Sequence, residues 1–215
     1  MMTKDDHVVW IVDDDERMRE ALAELLASHG MRAVTFSSAG DYVRADKPKV
    51  SACLILDIEL PDINGLDLQR QISGGHPPIV FITGHGDIPS SVRAIKDGAV
   101  DFLTKPFSEA DLMNAVQTAI AQDREAIAAR LEFEVLIQRY QSLTPREREV
   151  LPLVVSGLLN KQAAAELGIS EVTLQMHRRN VMQKMAATSF ADLVRIAERL
   201  EVPLTHSRRS GGSVP

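Results

Sequence analysis

Three carboxylates, a hydroxyl and an amine stand where they could do chemistry. Asp13 and Asp14 follow the apolar run Val8 to Val12, and Asp57 follows Cys53 to Leu56. Thr83 follows Ile79 to Ile82, and Lys105-Pro106 comes just after Val100 to Leu103. Taken alone, an Asp after a strand is often only a helix cap. Together, at the ends of successive apolar runs, they read as one site. Carboxylates gathered in a pocket repel one another, so a hard divalent cation is expected to hold them. Mg²⁺ suits that role, because it takes a few carboxylates and keeps positions open for phosphoryl oxygens. One carboxylate can then act as nucleophile and give an acyl phosphate. A lysine beside it neutralises the charge that develops on a transferring phosphoryl group.

The elements needed to position such a set are legible in the first ~120 residues. The runs Val8 to Val12, Ala33 to Phe36, Cys53 to Leu56, Ile79 to Ile82 and Val100 to Leu103 are short and bounded by turn residues, as buried strands are. Between them lie helical patterns such as Met18, Ala21, Leu22, Leu25 and Leu26, which share one face. Alternating strand and helix predicts an α/β domain over 5–122, a doubly wound, five-stranded parallel sheet. Its chemistry should collect at the carboxyl ends of the strands. Ser108 and Asp111 predict the start of a fifth helix, and no Gly or Pro interrupts the chain from there to Pro145. A helical linker over 123–142 is expected, with Ile120, Ile127, Leu131 and Val135 continuing one stripe. A flexible linker is the alternative.

A second, all-α domain of four helices is expected over 143–204. Thr144-Pro145-Arg146-Glu147 combines an N-cap Thr, Pro at the first helical position and Glu three residues after the cap. Gly157 and Gly168 mark breaks, and the Gly/Ser-rich stretch 205–215 is expected to be a disordered tail. Charge separates the halves. Residues 1–122 carry 11 basic and 19 acidic residues, whereas 144–215 carry 10 and 7. That asymmetry suggests different partners. No apolar stretch is long enough for a membrane span, and the N-terminus lacks a secretory pattern. With one cysteine, Cys53, in an apolar run, a cytoplasmic protein without membrane association is expected.

In the second domain, NKQAAAELGISEVTLQMHRRNVMQKM reads as a helix, a tight turn at Gly168-Ile169 and a longer helix capped by Ser170. Leu174, Val181 and Met185 should face the core. The opposite side shows Gln175, Met176, Arg179, Asn180, Gln183 and Lys184. Such a face suits a DNA major groove, since Arg and Gln read base edges and cations hold phosphates. A solvated face of a helical bundle is the bland alternative. His177 has no Cys or His at ligand spacing nearby, which argues against a metal site.

Residues 7 to 122 closely resemble the receiver domain of two-component response regulators, through IVDDD, LILDIELPDINGLDL, VFITGHGD and GAVDFLTKPF. Residues 143 to 200 resemble the LuxR-type helix-turn-helix domain, through LTPREREVL, GLLNKQAAAELGIS, TLQMHRRNVMQKM and SFADLVRIAERL. The whole chain resembles a FixJ/NarL-type response regulator, with GHGDIPSSVRAIKDGAVDF favouring the FixJ side. The resemblance implies that Asp57 is the phosphoacceptor. It implies that Asp13, Asp14, Asp57 and the backbone carbonyl of Glu59 bind Mg²⁺, and that Thr83 and Lys105 contact the phosphoryl group. It further implies a cis Lys105-Pro106 bond and a switch residue at Phe102, where many relatives carry Tyr; a static core residue is the alternative. Glu59 and His85 fall at places that flank the path of hydrolytic water. For DNA, the resemblance makes Gln175, Met176 and Arg179 base readers, and Lys161, Thr173, His177, Arg178 and Lys184 phosphate contacts. Met176 stands where a smaller Val is frequent, which puts the base preference in doubt.

The resemblance implies a histidine kinase as phosphoryl donor and a two-state switch. Phosphorylated Asp57 would bias a face including Val92, Ile95 and Lys96 toward a homodimer. Two DNA domains would then engage two half-sites, with activation of transcription favoured and RNA polymerase a further partner. A turnover enzyme acting on an external substrate is not expected. A phosphatase-like hydrolase, with Glu59 as second carboxylate, and a phosphorylation-independent interaction protein are the rivals.

Overall fold

The computed structural model describes residues 7–48, 50–72, 76–84 and 88–203. The chain divides into two compact units, Met1–Ala128 and Ala129–Pro215. In the first, strands and helices alternate: β1 His7–Val12, α1 Glu16–Ser28, β2 Arg32–Phe36, α2 Ala39–Arg44, β3 Ser51–Asp57, α3 Gly65–Gln71, β4 Ile79–Thr83, α4 Ile88–Lys96 and β5 Asp101–Thr104. All pairings are parallel and the strand order is β2-β1-β3-β4-β5. The five expected runs each form a strand, with ends shifted by a residue or two. The order reverses between β1 and β3, where open parallel sheets leave a crevice beyond the strand ends. Asp13 and Asp57 stand on either side of that switch point.

Alternation along each strand divides the core between the two sheet faces. Val8, Trp10, Val12, Leu54, Leu56 and Phe81 pack on one side with Leu66 and Leu68 of α3 and Ala94 of α4. Val9, Ile11, Cys53, Ile55, Val80 and Ile82 pack on the other with Leu22 and Leu26 of α1. The same cluster takes Leu112, Val116 and Ala119 from α5, Glu109–Gln141. Cys53 is fully buried, and burial pushes its thiol far above the ordinary value, as suits a small hydrophobe.

Helix α5 is continuous over 33 residues, and the two units divide within it. Ser108 bonds the Asp111 N–H at its start. Near its end Leu136 and Tyr140 belong to the core of the second unit, whereas Leu131 and Val135 of the expected stripe are exposed. That unit continues with α6 Pro145–Val155, α7 Asn160–Leu167, α8 Glu171–Lys184 and α9 Phe190–Arg199. Its core gathers Val150, Leu151 and Val154 from α6, Ala163 and Ala164 from α7, Leu174, Val181 and Met185 from α8 and its cap, and Leu193 and Ile196 from α9. The small alanines let α7 approach closely. Gly168 caps α7 at φ 65°, a left-handed conformation that glycine adopts without a Cβ penalty. Among the described residues no helix is long and apolar enough to cross a membrane. The expected tail, 205–215, lies outside the described residues.

Candidate functional site

The parallel sheet brings the Asp13, Asp14, Asp57 and Lys105 side chains to one pocket, at the same end of the sheet as Thr83. Asp13 and Thr83 are fully buried, and Asp57 is nearly so. The Lys105 Nζ donates to Asp13 Oδ2 and to Asp57 Oδ2, each at 2.8 Å. Asp57 Oδ1 accepts the Glu59 N–H at 3.1 Å, and Asp13 Oδ1 accepts the Asp15 N–H at 2.8 Å. Thr83 closes the ring through the backbone, its carbonyl accepting the Lys105 N–H at 2.7 Å. Asp14 is exposed, yet one carboxylate oxygen each from Asp13, Asp14 and Asp57 lie within 4.8 Å of one another. The Lys105-Pro106 bond is cis.

These contacts set the electrostatics. Burial pushes the Asp13 carboxyl up, and the bonds from Lys105 and the Asp15 N–H only partly oppose it. For Lys105 burial disfavours the ammonium, but the hydrogen bonds to Asp13 and Asp57 outweigh it and hold the group above its usual value. The lysine is therefore charged, and two carboxylates already share it. Three clustered carboxylates that offer oxygen ligands fit a hard divalent cation of the Mg²⁺ kind.

Residues that carry no chemistry hold this pocket, and residue types and spacing scarcely mark them. Arg19, on α1, donates to the backbone carbonyls of Asp13 and Asp14 at 2.8 and 2.9 Å, fixing the acidic loop. Asp62 accepts the Gly40 N–H at the start of α2 at 2.8 Å, which ties the loop after Asp57 back to that earlier helix. Gly65 opens α3 so close to β3 that a Cβ there would sit 2.4 Å from the Asp57 carbonyl. The Asn64-Gly65 pair is a visible turn signal, but the close approach belongs to the tertiary structure. Phe102 is half-buried, its ring centroid 6.4 Å from that of Phe81. Glu59 is exposed, and His85 lies outside the described residues.

In the second unit α8 presents Gln175, Met176 and Arg179 to solvent, opposite buried Leu174 and Val181. Lys161 is exposed on α7, while Thr173 and His177 are half-buried. The His177 Nδ1 is buried and has no hydrogen-bond partner among the described residues. Three expected phosphate contacts are engaged within the protein, the first being Thr173, whose hydroxyl shares a 2.8 Å hydrogen bond with that of Ser170. Arg178 donates to Asn160 Oδ1 at 3.0 Å and lies over the Phe190 ring at 5.2 Å, so it braces α7, α8 and α9 together. Lys184 donates to the buried Glu147 Oε2 at 2.7 Å and to the Ser142 carbonyl at 3.3 Å. Glu147 also accepts the Thr144 N–H, completing the expected capping box. Burial would raise the Glu147 carboxyl, but the Lys184 bond and the Thr144 cap outweigh it and hold it below the ordinary range.

Comparison with known proteins agrees with both halves. Residues 9–117 match the response regulator receiver domain family, and 141–197 match the family of bacterial regulatory proteins of luxR type. Nodulation protein W of Bradyrhizobium diazoefficiens is 45% identical over 205 residues, covering 94% of this chain and 90% of that protein. The transcriptional regulatory protein FixJ of Azorhizobium caulinodans is 40% identical over 191 residues, covering 88% and 90%. A solved structure of the response regulator StyR superposes with a TM-score of 0.79 at 46% identity, covering 90% of this chain and 98% of that one. A buried acidic pocket at the strand ends, a helix-turn-helix unit later in the chain and relatives that match across both halves together place the chain in the response regulator family, as a receiver domain followed by a LuxR-type DNA-binding domain.

Proposed function

We propose that this response regulator is switched by phosphorylation of Asp57 from a histidine kinase, and that the switch controls dimerisation and sequence-specific DNA binding, with activation of transcription favoured. The observation that carries the reading is Lys105, bonded at 2.8 Å to both Asp13 and Asp57. In the transfer step an Asp57 carboxylate oxygen attacks the phosphorus of a phosphohistidine. The P–O bond forms as the P–N bond breaks, and the leaving imidazole regains a proton from solvent. Lys105, already beside Asp57, follows the negative charge onto the phosphoryl oxygens. The Thr83 hydroxyl, at the end of β4, contacts the same group. Asp13, Asp14, Asp57 and the Glu59 carbonyl are the residues that would hold Mg²⁺, which when bound neutralises phosphoryl charge.

Phe102 is the residue whose packing reports the change, and Val92, Ile95 and Lys96 of α4 belong to the face that pairs in the homodimer. Val92 and Ile95 are about half exposed, which leaves them free to meet a second copy. On DNA, Gln175, Met176 and Arg179 read bases. Lys161 and His177 hold phosphates, while Thr173, Arg178 and Lys184 contribute from positions engaged within the unit. RNA polymerase is a further partner in activation.

Mass in solution and DNA binding, with and without beryllofluoride plus Mg²⁺, test the reading in wild type and Asp57→Asn. The mimic is expected to drive dimerisation and tighter binding in wild type alone. Equal behaviour of the two proteins would remove Asp57 as the control point.

A further inference from the structure

Helix α8 carries an apolar pair that the helix-turn-helix core does not use. Val172 is 77% exposed and Met176 53% exposed, although both belong to a helix anchored by fully buried neighbours. At 100° per residue Val172, Met176, Arg179 and Gln183 fall within about 60° of one another, centred opposite Leu174, Val181 and Met185. The two apolar side chains lie one turn apart, with Cβ atoms about 5–6 Å from each other. Val172 stands at the second position of the helix, behind the Ser170 cap. In helix-turn-helix proteins this N-terminal end of the recognition helix is the part that meets base edges.

The surroundings say what covers the pair. Arg179 is exposed on the same face, and α8 carries Arg178, Arg179 and Lys184 against one acidic residue, Glu171, so the complementary partner is a polyanion. In a major groove the exposed apolar group that a Val or Met side chain can meet is the thymine C5-methyl. We propose that Val172 is a specificity-determining residue, and that with Met176 it reads thymine methyls one or two base steps apart, flanked by the polar readers Gln175 and Arg179. This rests on the DNA-binding reading above and deepens it, adding a contact and naming the base chemistry selected. Two carbons one helical turn apart match such a spacing, since base pairs rise by 3.4 Å.

The test uses the full-length protein with beryllofluoride and Mg²⁺. Preferred sites are first selected from random duplex oligonucleotides. Each thymine in the selected site is then replaced by deoxyuridine, which removes the methyl and leaves base pairing intact. Two positions are expected at which the swap weakens wild-type binding, by about 3- to 5-fold each, as expected for one buried methyl. At one of them Val172→Ala binds both duplexes equally, and at the other Met176→Ala does. Loss at a thymine that persists undiminished in Val172→Ala overturns the assignment of Val172. Selected sites indifferent to every deoxyuridine swap overturn the methyl reading but leave DNA binding intact. No enrichment of any sequence overturns both. A Val172→Ala protein with unaltered DNA selection but weaker transcription in a purified polymerase assay gives the surface to a protein partner and overturns the proposal.

Discussion

The two functional regions of this chain are built on opposite plans. In the receiver unit the reactive groups are buried and bonded to one another: Asp13 and Asp57 share Lys105, and each carboxylate also accepts a backbone N–H. In the DNA-binding unit the reading groups Gln175, Met176 and Arg179 are exposed, and the buried charge, Glu147 with Lys184, lies behind them. The contrast follows from what each partner supplies. A phosphoryl group is small and must find its ligands already placed, so the fold fixes their geometry in advance. A duplex is large and supplies its own order, so the fold need fix only the pose of the helix that carries the readers.

If the acidic pocket depends on a preset backbone, crowding that backbone should be the more damaging intervention. Gly65→Ala places a Cβ against the Asp57 carbonyl, where neither neighbour is a flexible side chain. A loss of about 2–3 kcal/mol in the unfolding free energy of the first unit is expected. Beryllofluoride-driven dimerisation should fall with it, even at temperatures where the variant stays folded. Denaturant unfolding and light scattering together measure both. An unperturbed switch would show that the loop after Asp57 tolerates displacement.

The second unit is expected to break through its buried pair and not through its readers. Glu147→Ala removes the partner of Lys184 and half of the capping box, at a cost of about 2 kcal/mol, below the range for fully buried pairs because Lys184 is one-third exposed. Because the folded Glu147 carboxyl lies below its ordinary value of 4.5, its contribution is fully present above that pH and is lost as pH falls through the depressed folded value. Thermal unfolding of wild type and Glu147→Gln between pH 7 and pH 3 should therefore converge on the acid side. Parallel curves would remove the pair as the cause.

The smallest effects sharpen the division between exposed and engaged cations. Lys161→Ala is expected to weaken binding to all sequences alike and to lower the salt slope of log K by about one, as for one lost phosphate contact. Arg178→Ala should lower that slope by less than Lys161→Ala does and also lower stability by about 1 kcal/mol, because its guanidinium braces Asn160 and Phe190. A slope that drops equally in both variants would erase the distinction.

Much of this molecule was legible from residue types and spacing, for reasons that differ between elements. Short continuous apolar runs ending at Asp13, Asp57 and Thr83 determined both the strands and the site, because a parallel sheet aligns the carboxyl ends of its strands whatever lies between. The cap at Thr144, the turn at Gly168 and the buried face through Leu174 and Val181 are local signals, read within a few residues. The tertiary structure alone decided which charged groups were spoken for. Arg19 on the acidic loop, Gly65 against Asp57, Lys184 on Glu147 and Arg178 between Asn160 and Phe190 are contacts between different elements. A cation on a helix face has the same sequence signature whether it awaits a phosphate or already holds a carboxylate. Only the packing of a second element against it settles which, since burial and partner distance are properties of the fold and not of the residue.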